Sequence, residues 1–505
     1  MNIYNAFRTL WISLSLLLLG LNPGWAQETF TPKLLQEDLS HLKEILLGVS
    51  PKLTEDDRQR ISDLVAFQKK ELEEKSLNSM EFFNFLAEID FQTKFDEHAS
   101  MSISEEVLMP LLEKSKLFPL PLKILANRVL VNSEDAAIPF GSVLHSINGV
   151  PMDTLFKSFT RKYEDTFIQK RLESTFSFIY LLKKGSPALF HIEYTQPSTH
   201  GKRAVTELEG LDLEAYRERF QQKVYPVNKD QLTQLTHAHY FPKDHTFYLQ
   251  LNSFSWDRDA PKSFLNFFRG ESQKFDQLFK ALFKEISSLE VENLILDLRF
   301  NGGGNVMVPG ILFKYLAKEA FHESVWAEVP DFDIPEAELI SEIGSKRVKD
   351  PKKVGKYLQR LSKRFQREDS TFIWPVIENE VTHPHSFAFK GNVYVLVGGR
   401  SASASAYFAA LFKANQRGTI VGEVMGGDYQ SLTAGEIFTY QLPHTKIELE
   451  TPIMVVNFSE ELSQKIEGNR IQPDVRVPSD DAFQYFLSKK DIEVAHIMKQ
   501  VTGRE

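Results

Sequence analysis

One stretch constrains this fold more than any other: Val393–Lys413, VYVLVGGRSASASAYFAALFK. Val393, Tyr394, Val395, Leu396 and Val397 make a short apolar, largely β-branched run, which predicts a core strand. Gly398 and Gly399 end it. Ser401, Ala402, Ser403, Ala404 and Ser405 follow, and Ala406–Lys413 is a good helix former with an apolar face. A small serine at such a strand-to-helix turn can expose its hydroxyl beside backbone N–H groups that the first helical turn leaves unpaired. The helix N-terminus also favours negative charge there. That arrangement suits an acyl-transfer nucleophile. An N-cap serine on an ordinary α/β crossover would satisfy the same pattern.

The rest of the chain narrows the choice of chemistry. At 505 residues it has room for two or three domains. A net charge of −9 argues against a nucleic-acid binder, which would show a basic face. The absence of cysteine removes disulfides, thiol nucleophiles and thiolate metal sites, and no cofactor is called for. Residues 1–26 have the plan of a cleaved signal peptide. Arg8 gives a positive start, Leu10–Leu19 is the apolar core, and Gly24-Trp25-Ala26 offers a cleavage site. An uncleaved N-terminal anchor is the rival, and no later stretch is apolar enough to span a membrane.

Residues 27–112 are expected to be helical. Leu34, Leu35, Leu39, Leu42, Ile45 and Leu46 recur at helical spacing, and further helices are expected over Ile61–Leu77 and Asn78–Ile89. His98 follows, beside Asp96 and Glu97 and just before an expected strand. Residues 113–215 change character, with short strands, a turn at Asn148-Gly149 and a glycine–strand–Asn-Gly order. This order resembles a PDZ-type module, which binds extended peptides by strand addition. From 216 to 505 strands alternate with helices, predicting an open α/β sheet. Strands are expected over His245–Trp256 and Asn293–Asn305, helices over Phe264–Leu289 and Val306–Ala317, two strands within LPHTKIELETPIMVV, and one final helix over Asp480–Lys499. Asp331–Glu380 reads as a charged, irregular and partly helical insertion, bounded at 331–385, that covers the active site.

Asn301-Gly302-Gly303-Gly304 follows a core strand. Glycines allow a sharp turn with exposed N–H groups, as an oxyanion hole requires. A phosphate loop is excluded, because the stretch has neither a Gly-Lys-Ser/Thr ending nor a G-x-G-x-x-G frame. Asp297 and Arg299 are expected to brace the core. His237 with His239, and His383 with His385, lack an accompanying acidic ligand pattern and read as surface loops, so no metal site is expected.

NLILDLRFNGGGN, VYVLVGGRSASASAYFAALFK and RGTIVGE together resemble the serine peptidase family of the C-terminal-processing (tail-specific) proteases and the tricorn core. The resemblance runs through the helical N-terminus, the PDZ-like module, the core and the closing Ile-x-Pro-Asp-Val. It implies an α/β (α+β multidomain) chain with a peptidase core of crotonase-like (ClpP/crotonase) type, acting on protein or peptide substrates outside the cytoplasm. Carried over, the nucleophile is Ser403, and the oxyanion donors are a backbone N–H of Gly302 or Gly303 and that of Ala404. Two departures matter. Processing proteases keep a lysine base downstream of the serine, where this chain has Asp428 in GEVMGGDYQ. An aspartate is too weak a base at neutral pH to replace it. The tricorn-like branch instead uses a histidine after a helical segment. FDEHAS lies in that place, so His98 is the candidate base, although Phe95, Glu97 and Ala99 differ from the Gly-Asp-Gly-His-Thr pattern. The acid that orients His98 would be Glu467, with Asp96 and Glu423 as alternatives. A catalytically inactive peptidase fold that binds peptides or an apolar ligand is the other reading.

Overall fold

The computed structural model describes residues 29–86, 99–134, 137–160, 165–198, 201–226, 229–256, 270–344 and 346–503. The expected signal peptide, Asp96 and His98 lie outside the described residues. The N-terminal region forms helices Pro32–Val49, Glu55–Glu71 and Ser79–Leu86. The first buries Leu35, Leu39, Leu42, Ile45, Leu46 and Val49 along one stripe, as their spacing requires. Asp38 lies on that same buried stripe. Its carboxylate accepts from the Thr445 N–H at 2.8 Å and the Thr445 hydroxyl at 2.6 Å, pinning the helix to a hairpin turn of the core.

The next region is an antiparallel sheet in the order Leu122–Leu125, Arg128–Val131, Val143–Ile147, Leu189–Thr195, Arg203–Glu209. Asn148 and Gly149 take φ values of 51° and 76° in the tight turn after Val143–Ile147, which explains the Asn-Gly pair. A long helix, Thr166–Lys184, packs against this sheet; the sequence reading did not anticipate it. Its stretch Thr175–Leu181 is buried without a break because it serves two cores. Leu172, Phe176 and Tyr180 join the module's interior, whereas Phe178 and Leu181 join that of the main core.

The core holds a five-stranded sheet in the order Thr236–Phe241, Thr246–Leu251, Asn293–Asp297, Asn392–Val397, Thr419–Gly422. The first pair is antiparallel and the rest are parallel. Every residue of Thr246–Leu251 and Asn293–Asp297 is buried, so these strands read as continuous apolar runs and not as alternations. One face packs on helices Gly270–Ser288, Val308–Phe313 and Ala404–Ala414, and the other on the C-terminal helix Ile492–Thr502. Asp480–Lys499, expected as one helix, is two, Ser479–Leu487 and Ile492–Thr502, the second capped by Asp491.

A second, eight-stranded antiparallel sheet runs Lys346–Arg347, Ile340–Ile343, Ser431–Gln441, Ile447–Phe458, Phe321–Val329, Thr371–Thr382, Gln366–Glu368, with Ser100–Ile103 alongside Ile447–Glu450. LPHTKIELETPIMVV therefore supplies one strand and not two. Asp331–Glu380 is likewise more ordered than its composition implies. Pro375, Glu378 and Glu380 disguise the strand Thr371–Thr382. Its pairing with Gln366–Glu368 stops at Ile373, so Pro375 sits on an open edge where its missing N–H costs nothing. Residues 348–365, which include helix Lys352–Ser362, join the two end strands of this sheet.

Candidate active site

The strand Asn392–Val397 delivers the chain to Gly398 and Gly399, and helix Ala404–Ala414 leaves from Ser403. Ser403 takes φ 56° and ψ −126°, a conformation an L-residue adopts only when its surroundings hold it there. The flanking serines supply that hold. Ser401 donates to the Leu298 carbonyl at 2.7 Å and accepts from the Gly398 N–H at 3.1 Å. Ser405 donates to the Asn301 carbonyl at 2.9 Å. Ser403 itself does not cap the helix with its side chain, and its hydroxyl makes no hydrogen bond among the described residues. Of the three serines, two fasten the helix start to the glycine loop and the middle one is left available.

That loop lies directly against Ser403. A Cβ on Gly303 would sit 2.6 Å from the Ser403 Cβ and 3.0 Å from the Ala404 nitrogen, and Gly303 has φ 106°, so both space and backbone demand glycine. Gly304, at φ 141°, is pressed as closely against Phe254, whose N–H donates to the Gly303 carbonyl at 2.9 Å. The structure thus brings Ser403, Gly303 and Ala404 into one cluster. The Gly303 N–H, however, donates to the Asn301 side-chain oxygen at 2.9 Å and is already engaged. Neither the Gly302 nor the Ala404 N–H makes a hydrogen bond among the described residues, and Gly302 is exposed. From sequence Asn301 is only the head of the glycine motif, with no role of its own. Its carbonyl and side chain organise both loops, and its position directly before three glycines was the signal for it.

The third wall is Gly426-Gly427. A Cβ on Gly427 would come 2.9 Å from the Ser403 nitrogen, and the Gly426 N–H donates to the Ser401 carbonyl at 2.9 Å. Asp428 follows, its carboxylate accepting from the Gln430 N–H at 2.7 Å. Glu467 is exposed, between Ile466 and Gly468, whose carbonyls accept from the Tyr429 hydroxyl at 2.8 and 2.7 Å. The Glu467 carboxylate forms no ion pair among the described residues, and the structure brings it into no contact with Ser403. Glu423 is committed elsewhere, paired with Lys170 at 2.9 Å.

Helix Thr166–Lys184 backs the whole turn. Gly399 packs against the Thr166 carbonyl and Gly426 against the Phe167 ring, while the Thr166 hydroxyl donates to the Val424 carbonyl at 3.0 Å. Arg400 donates to the Ser174 hydroxyl, and Arg470 pairs with Asp165 at 2.6 Å. Behind these contacts Glu173 sits between Lys123 at 3.0 Å and Lys170 at 3.3 Å. Burial opposes its charge, but the two lysines and Arg400 overcome that and hold its carboxyl at about 2. A cavity of about 70 Å³ borders this charge cluster, lined by Gly398, Gly399 and Arg400 but not by Ser403 or Ala404. Arg299 pairs with Asp297 at 2.6 Å and with Asp491 at 2.8 Å, and so braces the core onto the C-terminal helix.

Beneath helix Ala404–Ala414 lies a second residue that sequence reasoning missed. Glu323 is 6% exposed, and its carboxylate accepts from the Tyr407 hydroxyl at 3.1 Å and the Thr382 hydroxyl at 3.4 Å. Gly310 leaves the space the carboxyl occupies. Burial pushes this carboxyl up to about 7, the two hydroxyls only partly offsetting the effect. The signal was present in FHESVWAEV, where Glu323 shares the buried phase of the alternation with Phe321, Val325, Ala327 and Val329. His237 and His239 lie on the strand Thr236–Phe241 and not in a surface loop. No metal-binding group of three or more side chains is found among the described residues.

Two loops from the carboxyl ends of adjacent parallel strands, one with a hydroxyl and one with glycines, fit the serine-peptidase class. Residues 245–477 match the model of peptidase family S41. Over that stretch, which holds both the glycine loop and the Ser403 turn, the chain is similar to that family. It is also similar in fold to solved structures over nearly its whole length. Mature CPAF complexed with lactacystin shares 15% identity at a TM-score of 0.59, covering 94% of this chain and 99% of that one. Mature CPAF gives 15% and 0.59, covering 94% and 98%. No helix among the described residues is long and apolar enough to cross a membrane.

Proposed function

We propose that the chain is an exported serine endopeptidase that cleaves protein or peptide substrates through an acyl-enzyme at Ser403. The observation that carries this reading is the Ser403 turn, a strained nucleophile position whose two neighbouring serines are bonded into the scaffold while its own hydroxyl is left available. The Ser403 oxygen attacks the scissile carbonyl as His98 takes its proton. The resulting oxyanion accepts from the Ala404 N–H and, because the Gly303 amide is engaged by Asn301, from the Gly302 N–H. Collapse breaks the C–N bond as His98 returns the proton to the leaving amine, and water then hydrolyses the ester by the same route. Glu467 orients the imidazole, and the module at 113–215 holds an extended segment of substrate by strand addition. The crotonase-type core, the leader at residues 1–26 and a periplasmic or extracellular site of action belong to the same proposal.

The test is labelling with a serine-reactive fluorophosphonate, comparing the wild type with Ser403→Ala and His98→Ala. Labelling abolished in both supports the Ser–His pair. Labelling lost only in Ser403→Ala keeps the enzyme and removes His98 as its base. A folded wild type that does not label points to the second reading, a catalytically silent peptide-binding protein. That reading is favoured by the altered histidine motif around His98 and by the aspartate at position 428 where processing proteases keep lysine.

A further inference from the structure

The charge of this chain is strongly segregated. Residues 346–367 carry ten cations, Lys346, Arg347, Lys349, Lys352, Lys353, Lys356, Arg360, Lys363, Arg364 and Arg367, against a single acid, Asp350. That is a formal +9 in a chain whose total is −9, so everything outside the segment sums to −18. All ten are exposed. Arg347 lies 3.9 Å from Glu342, and none of the other nine makes an ion pair among the described residues. An ordinary solvated surface intersperses both signs, whereas this one leaves its cations to repel each other.

The fold places them together. Residues 348–365 connect the two end strands of the antiparallel sheet, with helix Lys352–Ser362 at the centre, and Lys346, Arg347 and Arg367 lie on those strands. Val354, Leu358 and Leu361 bury one face of that helix in the core, which turns Lys352, Lys353, Lys356 and Arg360 outward. At its edge the Arg364 guanidinium lies 5.3 Å from the Trp374 ring and that of Arg367 lies 5.7 Å from Phe372, so aromatic rings border the basic patch.

We propose that this face docks the protein onto an anionic lipid bilayer. The helix has no apolar face left for insertion, so attachment is electrostatic, through several cations held against acidic headgroups at once. A bilayer surface is favoured over a soluble polyanion by the remainder of the molecule. A long nucleic acid running past the patch would meet a body of charge −18, whereas a planar surface is touched only by the face presented to it. Docking also fixes orientation, because the acidic body is repelled from the same headgroups.

The experiment is vesicle co-sedimentation of the chain from Gln27 onward, which retains every described residue and removes the apolar run at Leu10–Leu19. The expected result is binding to phosphatidylcholine vesicles containing about 30% phosphatidylglycerol, none to phosphatidylcholine alone, and loss of binding as salt rises toward about 300 mM. Lys352→Gln, Lys356→Gln and Arg360→Gln combined should weaken binding about a hundredfold, and Lys346→Gln, Lys349→Gln and Lys353→Gln combined by a similar factor, with thermal melting unchanged. Equal binding to both vesicle types, no binding to either, or undiminished binding by both triple variants overturns the proposal. Capture of a DNA duplex or heparin without any vesicle binding overturns it in favour of a soluble polyanion.

Discussion

The two large sheets of this molecule treat buried polarity in opposite ways. At the end of the parallel sheet, the Ser401 and Ser405 hydroxyls and the Asn301 side-chain oxygen are bonded into the scaffold, and one hydroxyl, that of the largely buried Ser403, bonds to none of the described residues. The antiparallel sheet instead buries a carboxyl, Glu323, with only two hydroxyls to answer it, directly beneath the same helix. An available group at a rim is where chemistry can happen. An under-compensated group in the interior produces dependence of stability on pH. One helix, Ala404–Ala414, carries both.

The sharpest way to break this comparison is at the rim. Ser403→Ala should lower peptidase activity by at least about 10⁴-fold with the melting temperature unchanged, because its hydroxyl supports no structure. Steady-state kinetics beside calorimetry would check both halves, and a variant that stays active would remove Ser403 from the chemistry. Gly303→Ala should come next, costing about a hundredfold or more in kcat. It forces a side chain into Ser403 and an unfavourable φ onto the loop. Retained kcat in that variant would mean that the loop can move aside.

Glu323 tests the interior. Its carboxyl titrates at about 7 in the folded protein, above the ordinary value of 4.5. Between those values the folded state holds a proton that the unfolded chain has released. Its contribution to stability is therefore full below pH 4.5, falls as pH rises, and is lost above 7. The difference is roughly 3 kcal/mol from this group. Glu323→Gln should flatten that slope and raise the melting temperature at pH 8. An unchanged pH profile would mean that the carboxyl is better compensated than its two hydroxyl partners suggest. The smallest effect belongs to the fastening serines. Ser405→Ala should cost about 1–2 kcal/mol, by leaving the buried Asn301 carbonyl with a weaker set of donors, and should lower kcat by about tenfold through a looser turn. Denaturant unfolding and kinetics on the same sample would separate the two.

Legibility followed the same division. The parallel strands were plain in the sequence, because strands buried on both faces become unbroken apolar runs and their ends are marked by glycine. For the same reason Ser403 and the Asn301–Gly304 loop are legible in the sequence. The antiparallel sheet was much less visible. Half-exposed strands such as Thr371–Thr382 carry proline and glutamates on their open side, and that composition reads as irregular. Helix Thr166–Lys184 was missed because a helix buried on opposite sides loses the single stripe by which helices are recognised.

The sequence by itself determined which residue types could react and in what order they occur: a serine among small residues, a glycine loop, and an aspartate in place of lysine. Only the tertiary structure decided which of the neighbouring amides are engaged. The Gly303 N–H donates to the Asn301 side-chain oxygen, whereas the Gly302 and Ala404 N–H groups make no hydrogen bond among the described residues. It also decided that Glu323 would be buried and Glu467 exposed, although both are glutamates. A side chain's chemistry is local to its residue, whereas its hydrogen bonds and its solvent are set by neighbours brought from elsewhere in the chain.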